Sequence, residues 1–374
     1  MNLMLTEDQN LIKDTAQKFL QSRIPTASVR AQRDNPQGFS ADLWDALAQQ
    51  GWLGLALPEN YAGAGAGFFE ACLLVEQMGW AAIPTPFLTT LAASLAIYRY
   101  GSAEQQATWL PAIATGRRIV SYARPGGGLS TPPMTALLRG NHYELQGTAW
   151  FVPFANVAHA FIVAAATDPA QPDRLTVFVV DGEADLNIHR RPLDSIGWDH
   201  PHHVKFSHVA VPCTAILGEA ESGGAVVDAL EAWGAAASAV EMAGGAQRVL
   251  DLTVEYATQR TQFDRPIGSF QAVQHHCANM AIDVLSARFM AYEAAWRLSE
   301  GLPAGRETAM AKAWVGDAYL RVVDLGHQVH GAIGFTQDHD LQFYLRHAMA
   351  ASLNFGDTDL QWERVADSLG LPRA

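Results

Sequence analysis

A chain of 374 residues is too long for one hydrophobic core and implies two or three domains, or one multi-layer assembly. Hydrophobic residues make up 49% and charged residues 17%, the balance of a soluble globular protein with much buried surface. A net charge of −13 argues against nucleic acid as a partner, while leaving room for a small anion held by local arginines and helix N-termini. No apolar run reaches membrane-spanning length, and the N-terminus lacks a basic-then-apolar signal pattern. Cys72, Cys213 and Cys277 form neither a metal spacing nor a disulfide framework, so no metal is expected and the expected compartment is the reducing cytoplasm.

From Thr6 to about Arg117 the pattern is helical. "TEDQ" has capping-box spacing, Thr6 to Gln9, and Leu11, Ile12, Ala16, Phe19 and Leu20 then share one face. Ser40 caps a second helix that stops at Gly51. "ALPENYAGAGAG" is a loop, a long apolar helix follows, Gly101 closes another, and a short helix ends near Gly116. Between Ile119 and about Gly218 the period changes. "YELQGTAWFVP", "AFIVAAA", "LTVFVVD" and "HHVKFSHVAVP" are short runs rich in Val, Phe and Thr between Gly, Pro and Asp clusters, and they read as strands. "GEAESGGA" is a connector. From Val226 to Leu369 the chain is helical again, over 226–259, 268–300, 304–330 and 338–352. The many small residues suit close packing in a bundle. The fold class is therefore α+β, with domains at 1–118, 119–225 and 226–374.

Two stretches stand out. "TQRTQFDRPIGSFQAVQH" sets Arg260, Gln262, Phe263, Phe270 and Gln271 around a turn at Pro266 and Gly268, more than a bland surface turn needs. "AWGAAASAVEMAGGAQ" is almost uncharged, with Glu241 in its middle. A carboxylate there is costly to bury and needs a partner or a raised pKa. A raised pKa would suit a general base, and an arginine from a neighbouring helix would suit a structural role.

Helices, a β-domain and helices again, in that order, resemble the acyl-CoA dehydrogenase family over nearly the whole chain. "YATQRTQFDRPIGSFQAVQH" and "QVHGAIGFTQDHDLQFYLRHA" are similar to the family's two most recognisable segments. "LALPENYAGAG", "YGSAEQQATWLPAIATG" and "VKFSHVAVP" match weaker patterns in register. The resemblance implies an N-terminal helical domain, a middle β-barrel-like domain and a C-terminal four-helix bundle that bind FAD. It places Arg260, Phe263, Phe270 and Gln271, with Gln262 in the same segment, at the adenosine and pyrophosphate. Gln328, Gly331 and Ala332, with Val329 between them, approach a flavin bound by the neighbouring subunit. Trp150 falls where a tryptophan packs on the flavin. Arginine can donate bidentately to phosphate, and a glycine beside a small residue lets backbone N–H groups come close to it. In the competing structural reading the two phenylalanines and Trp150 are core, Arg260 is a helix-end charge and Gly331 serves packing.

The chain departs from the family where the chemistry is done. The family's C-terminal catalytic glutamate position falls on Phe355, and Asp357 stands where a threonine would be. The second known place for the base, just before an arginine, reads Gly234-Ala235. The loop at 123–130, usually rich in Thr, Glu, Ser and Asp, reads "ARPGGGLS". This leaves Glu241 as the leading candidate base, with Asp357 and then Asp359 as alternatives whose structural role would be helix capping, or else no base on this chain.

These departures resemble family members of bacterial steroid and sterol side-chain degradation, which assemble as heterotetramers of two different chains. The resemblance implies α,β-dehydrogenation of an acyl-CoA, which a bulky, steroid-derived acyl group would fit. An electron-transfer flavoprotein would be the acceptor, and the assembly a homo- or heterotetramer. Two alternatives stand beside it: a non-catalytic partner that completes a paralogue's active site, and a flavin monooxygenase on the same fold.

Overall fold

The structure, a computed structural model, describes residues 4–23, 35–124, 134–168, 170–183 and 186–371. The chain opens with helices α1 (Glu7–Arg23), α2 (Ala41–Gln49), α3 (Phe68–Trp80), α4 (Phe87–Tyr100) and α5 (Ala103–Ala114). Thr6 and Gln9 close a reciprocal capping box, and Ser40 Oγ accepts from the Leu43 N–H. Ala16 and Leu20 of α1 are buried, but Leu11 is 65% exposed and lies off the packed face that the sequence pattern gave it.

Seven strands follow: β1 (Val120–Ala123), β2 (Thr135–Arg139), β3 (His142–Pro153), β4 (Ala160–Ala166), β5 (Leu175–Asp181), β6 (Ile188–Pro192) and β7 (Pro201–Pro212). They form one curled sheet in the order β1-β4-β2-β3-β7-β6, with β5 antiparallel on β4. The expected strands correspond to β3, β4, β5 and β7. The additional β1, β2 and β6 are four or five residues long, and "TALLR" and "IHRRP" carry arginines and exposed positions, which weakens the alternation that marks a strand. Leu145, Phe161, Phe178 and Phe206 centre a core inside the sheet, separate from the larger helical core.

The last part holds α6 (Gly224–Gln259), a hairpin of β8 (Thr261–Gln262) and β9 (Arg265–Pro266), α7 (Gln271–Ser299), α8 (Gly305–His330), α9 (Leu341–Ala351) and α10 (Thr358–Ser368). Helix α6 packs on α3, α7 and α8. It touches α3 backbone to backbone: a Cβ on Gly79 would lie 2.0 Å from the Glu241 carbonyl oxygen, and one on Gly244 would lie 1.9 Å from that of Glu76. Only glycine allows this approach. The contact fixes where along α6 every later side chain stands. Among the described residues no helix is long and apolar enough to cross a membrane.

Candidate active site and cofactor ledge

Strand β3 is bulged against β7 between Ala149 and Val152, and Phe151 at the bulge has a left-handed φ of 57°. A bulge re-aims its side chains. Here Trp150 leaves the core and stands half-buried, its ring centroid 4.2 Å from that of His203. With Tyr122, Arg124, Phe151, Phe355 and Asp357 it lines a cleft of about 620 Å³. At this cleft Arg124 pairs at 2.9 Å with Glu231 of α6, which is only 5% exposed. Burial pushes the Glu231 carboxyl up in spite of Arg124 and the more distant Arg364. Sequence reading missed Glu231 because "DALEAWG" looks like an ordinary amphipathic turn. The glycine-rich residues 125–130 of the expected cofactor loop lie outside the described residues.

The loop after α9 puts Phe355 at a φ of 56°. Lys312 Nζ donates to the Ser352 and Gly356 carbonyls at 2.8 and 3.1 Å, and Gln361 Nε2 donates to the Phe355 carbonyl at 2.7 Å. The loop is thus held from both sides, and the Phe355 ring rests on Gly234. A Cβ on Gly234 would lie 2.0 Å from Cε1 of that ring. The two positions where the resemblance seeks a base therefore face each other, and carbon fills the space between them. Asp357 accepts from the Leu360 N–H at 2.9 Å as the N-cap of α10, the structural role weighed for it in the sequence. Asp359 is exposed in the first turn of the same helix and lines neither the cleft nor the cavity behind it.

Behind Phe355 lies an inner cavity of about 60 Å³ that shares Thr89, Pro153, Asp199, Asn354 and Phe355 with the cleft. Glu241 lines this cavity and not the cleft. Seven residues beyond Gly234, it stands about 10 Å further along α6. Its partner is His347, with Nε2 3.5 Å from Oε2, and not the arginine that the sequence suggested. His347 stacks on Trp198, centroids 5.5 Å apart, and its Nδ1 lies 3.3 Å from the Tyr319 hydroxyl. Asp199 also faces this space. Burial raises its pKa; Oδ2 accepts from Asn354 at 3.3 Å, and Oδ1 is buried without a partner among the described residues. Asp199 sits in the β-domain stretch "GWDHPHH", too far from Glu241 in sequence for the two to be linked before folding.

The remaining candidates lie elsewhere, on a surface ledge. The hairpin turns at Phe263 and Asp264, both left-handed at φ 52° and 61°, and so before the expected turn at Pro266 and Gly268. Phe263 is 87% exposed and meets Phe270 edge-on at 6.1 Å, so it is not core. Arg265 lies 4.1 Å over the Phe270 ring. Arg260, Gln262 and Gln271 are exposed, and the Arg260 side chain has no hydrogen bond or ion pair among the described residues. Gln328 and Ala332 are exposed and Gly331 has a φ of 66°, whereas Val329 is buried and has only its backbone to offer a ligand. None of these nine residues lines the cleft or the inner cavity. The free Arg260 guanidinium and the exposed Phe263 ring, carried on the same hairpin, fit the phosphate and adenine of a dinucleotide such as FAD.

A helical domain, a curled sheet and a helical bundle around an aromatic-walled cleft define a fold that known proteins share. Family models described as the acyl-CoA dehydrogenase N-terminal and C-terminal domains match residues 6–117 and 222–370. The chain is 32% identical to acyl-CoA dehydrogenase FadE27 of Mycobacterium tuberculosis, over 89% of each chain. It is 28% identical to the mitochondrial short/branched chain specific acyl-CoA dehydrogenase of Bos taurus, over 96% of this chain and 85% of that one. Among solved structures, one chain of the ChsE4–ChsE5 complex from Mycobacterium tuberculosis superposes with a TM-score of 0.93 at 30% identity, over all of this chain and all of that one. The chain belongs to the acyl-CoA dehydrogenase family, FAD-dependent oxidoreductases that act on CH–CH bonds.

Proposed function

We propose that this chain is one subunit of a mixed acyl-CoA dehydrogenase, in which a second family chain carries the base. In that assembly this chain's ledge holds the adenosine diphosphate half of the FAD seated in the second chain. One observation carries the reading: Phe355 packs on Gly234, so neither family position offers a carboxylate here. The likeness to a two-chain complex is in keeping with it.

Arg260 would clamp the pyrophosphate, Phe263 and Phe270 would cover the adenine, and Gly331 would let the backbone approach the cofactor. When bound, FAD would supply the acceptor for a hydride from the β-carbon of the thioester, and an electron-transfer flavoprotein would take the electrons onward. This chain's own cleft keeps Trp150 and room for an acyl thioester. A steroid-derived acyl group would have to sit mostly between subunits, because the inner cavity is small.

The test is co-expression with a base-bearing family chain, for instance from the neighbouring gene, followed by flavin quantitation. The mixed assembly should carry about one FAD for every two chains. Arg260→Ala should loosen it by about ten- to hundredfold, the worth of a charge-assisted hydrogen bond. A homo-oligomer of this chain that holds one FAD per protomer and bleaches with acyl-CoA would overturn the reading.

A second reading rests on Glu241, a mostly buried carboxylate beside a histidine in the acyl-side cavity. If Glu241 removes the α-proton, Glu241→Gln should cut flavin bleaching at least about a hundredfold with assembly and flavin content intact. Normal bleaching would retire it as a base.

A further inference from the structure

An unbranched alkyl chain needs a carbon-lined pocket, and the inner cavity is only partly that. Met78, Ile83 and Leu88 supply apolar wall. Between them stand Thr85 Oγ1, Thr89 Oγ1, Ser238 Oγ and Asp199 Oδ1, four buried oxygens with no hydrogen-bond partner among the described residues. Ser238 is 1% exposed and lines this cavity alone, while Thr89, 5% exposed, and Asp199 stand where the cavity meets the cleft. Native interiors satisfy nearly all such atoms, and a cluster of exceptions in one cavity calls for an explanation. Glu241 adds a second carboxylate to the same wall. Carboxylates accept hydrogen bonds and hydroxyls do either, so the set as a whole asks for donors. The volume, about 60 Å³, admits only a few heavy atoms.

We propose that the inner cavity binds the far end of a short acyl group that carries a hydrogen-bond donor, a hydroxyl or an ammonium, read by Asp199, Ser238 and Thr89 with Glu241 behind them. The proposal rests on the reading that the cleft admits acyl-CoA thioesters, since the two spaces share their wall at Phe355 and Asn354. Neither the departures from the family's base positions nor the ledge requires it.

The experiment is calorimetric titration of the purified assembly with three thioesters: pentanoyl-CoA, ω-hydroxypentanoyl-CoA and ω-methoxypentanoyl-CoA. The methoxy compound keeps the oxygen and loses the donor. The hydroxy compound should bind about tenfold tighter than the methoxy compound, the fold-change of one buried hydrogen bond to a charged group. An ω-aminopentanoyl thioester that binds tighter still would assign the ammonium end. Asp199→Asn in this chain should abolish most of the hydroxy-over-methoxy ratio, and Ser238→Ala, a milder change, should reduce it. A variant in this chain also isolates its cavity from any site on the second chain. Equal affinities for the hydroxy and methoxy compounds, or a ratio untouched by both variants, would overturn the proposal and leave the dehydrogenase reading standing. No binding of any thioester would overturn both.

Discussion

Gly234 lacks a side chain where the Phe355 ring needs the room, and the pair can be tested as a pair. Gly234→Ala should cost about 1–3 kcal/mol by overpacking, seen as a lower urea midpoint with an unchanged slope. In a Phe355→Ala background the clash is gone. The same substitution should then stabilise by up to about 1 kcal/mol, the helix-propensity gain of alanine over glycine. A cost that is equal in both backgrounds would show that the ring is not the obstacle.

Lys312, on the other side of that loop, is a residue whose charge the interior resists. Burial pushes its pKa down to about 7, with Asp357 pulling the other way. Between about pH 7 and its ordinary value of 10.5 the unfolded chain holds the proton that the folded chain has released. Stability should therefore rise with pH across that window and be lost again as pH falls through 7, with a slope of at most about 1.4 kcal/mol per pH unit. Denaturant titrations from pH 7 to 10 should show the rise, and Lys312→Met should flatten it. An unchanged slope in that variant would assign the rise to other groups.

At the scale of elements, one buried carboxylate ties three helices together. Glu76 of α3 is 1% exposed and pairs with Lys13 of α1 at 2.6 Å and Arg288 of α7 at 2.9 Å, and it accepts from the Tyr292 hydroxyl at 2.6 Å. Burial alone would raise its pKa. Lys13 and Arg288, helped by hydrogen bonds from Lys13 and Tyr292, outweigh that and hold it below 4.5. Its contribution is thus present above pH 4.5 and lost as the pH falls through its lowered value. Glu76→Gln leaves the half-buried Lys13 and Arg288 without their carboxylate and should cost about 1–3 kcal/mol at pH 7. Thermal unfolding would show the loss. Because the tie joins the N-terminal helices to the bundle, limited proteolysis should cut near α1 first in the variant. The Glu76 cluster was not legible beforehand: "LLVEQMGW" is one apolar helix in sequence, and its three partners come from two other helices.

On the scale of the whole molecule, exposed carbon points to assembly. Ile282, Leu285 and Phe289 on α7 are 65%, 51% and 38% exposed, spaced so that they share one face of the helix. Another subunit is the expected cover. The purified assembly should sediment as a tetramer, and Ile282→Asp with Leu285→Asp should shift it to smaller species without loss of helix content. A wild-type monomer in ultracentrifugation would contradict both this face and the ledge reading.

The sequence by itself determined the order of helices, sheet and helices, four of the seven strands of the curled sheet and the long helices of the bundle. Hydrophobic period and turn chemistry are local, and a few neighbouring residues carry them. It also marked Arg260, Phe263 and Phe270 as a group, because they lie within one hairpin and the start of one helix. Only the tertiary structure decided what meets across the chain: Phe355 on Gly234, Asp199 opposite Glu241, Lys312 under the Phe355 loop, and a ledge apart from the cleft. Those contacts depend on helix crossings set by glycines such as Gly79 and Gly244 and on a bulge in β3. The physical cause is distance along the chain, since a side chain's partner, burial and charge state are fixed by segments that no local pattern can see.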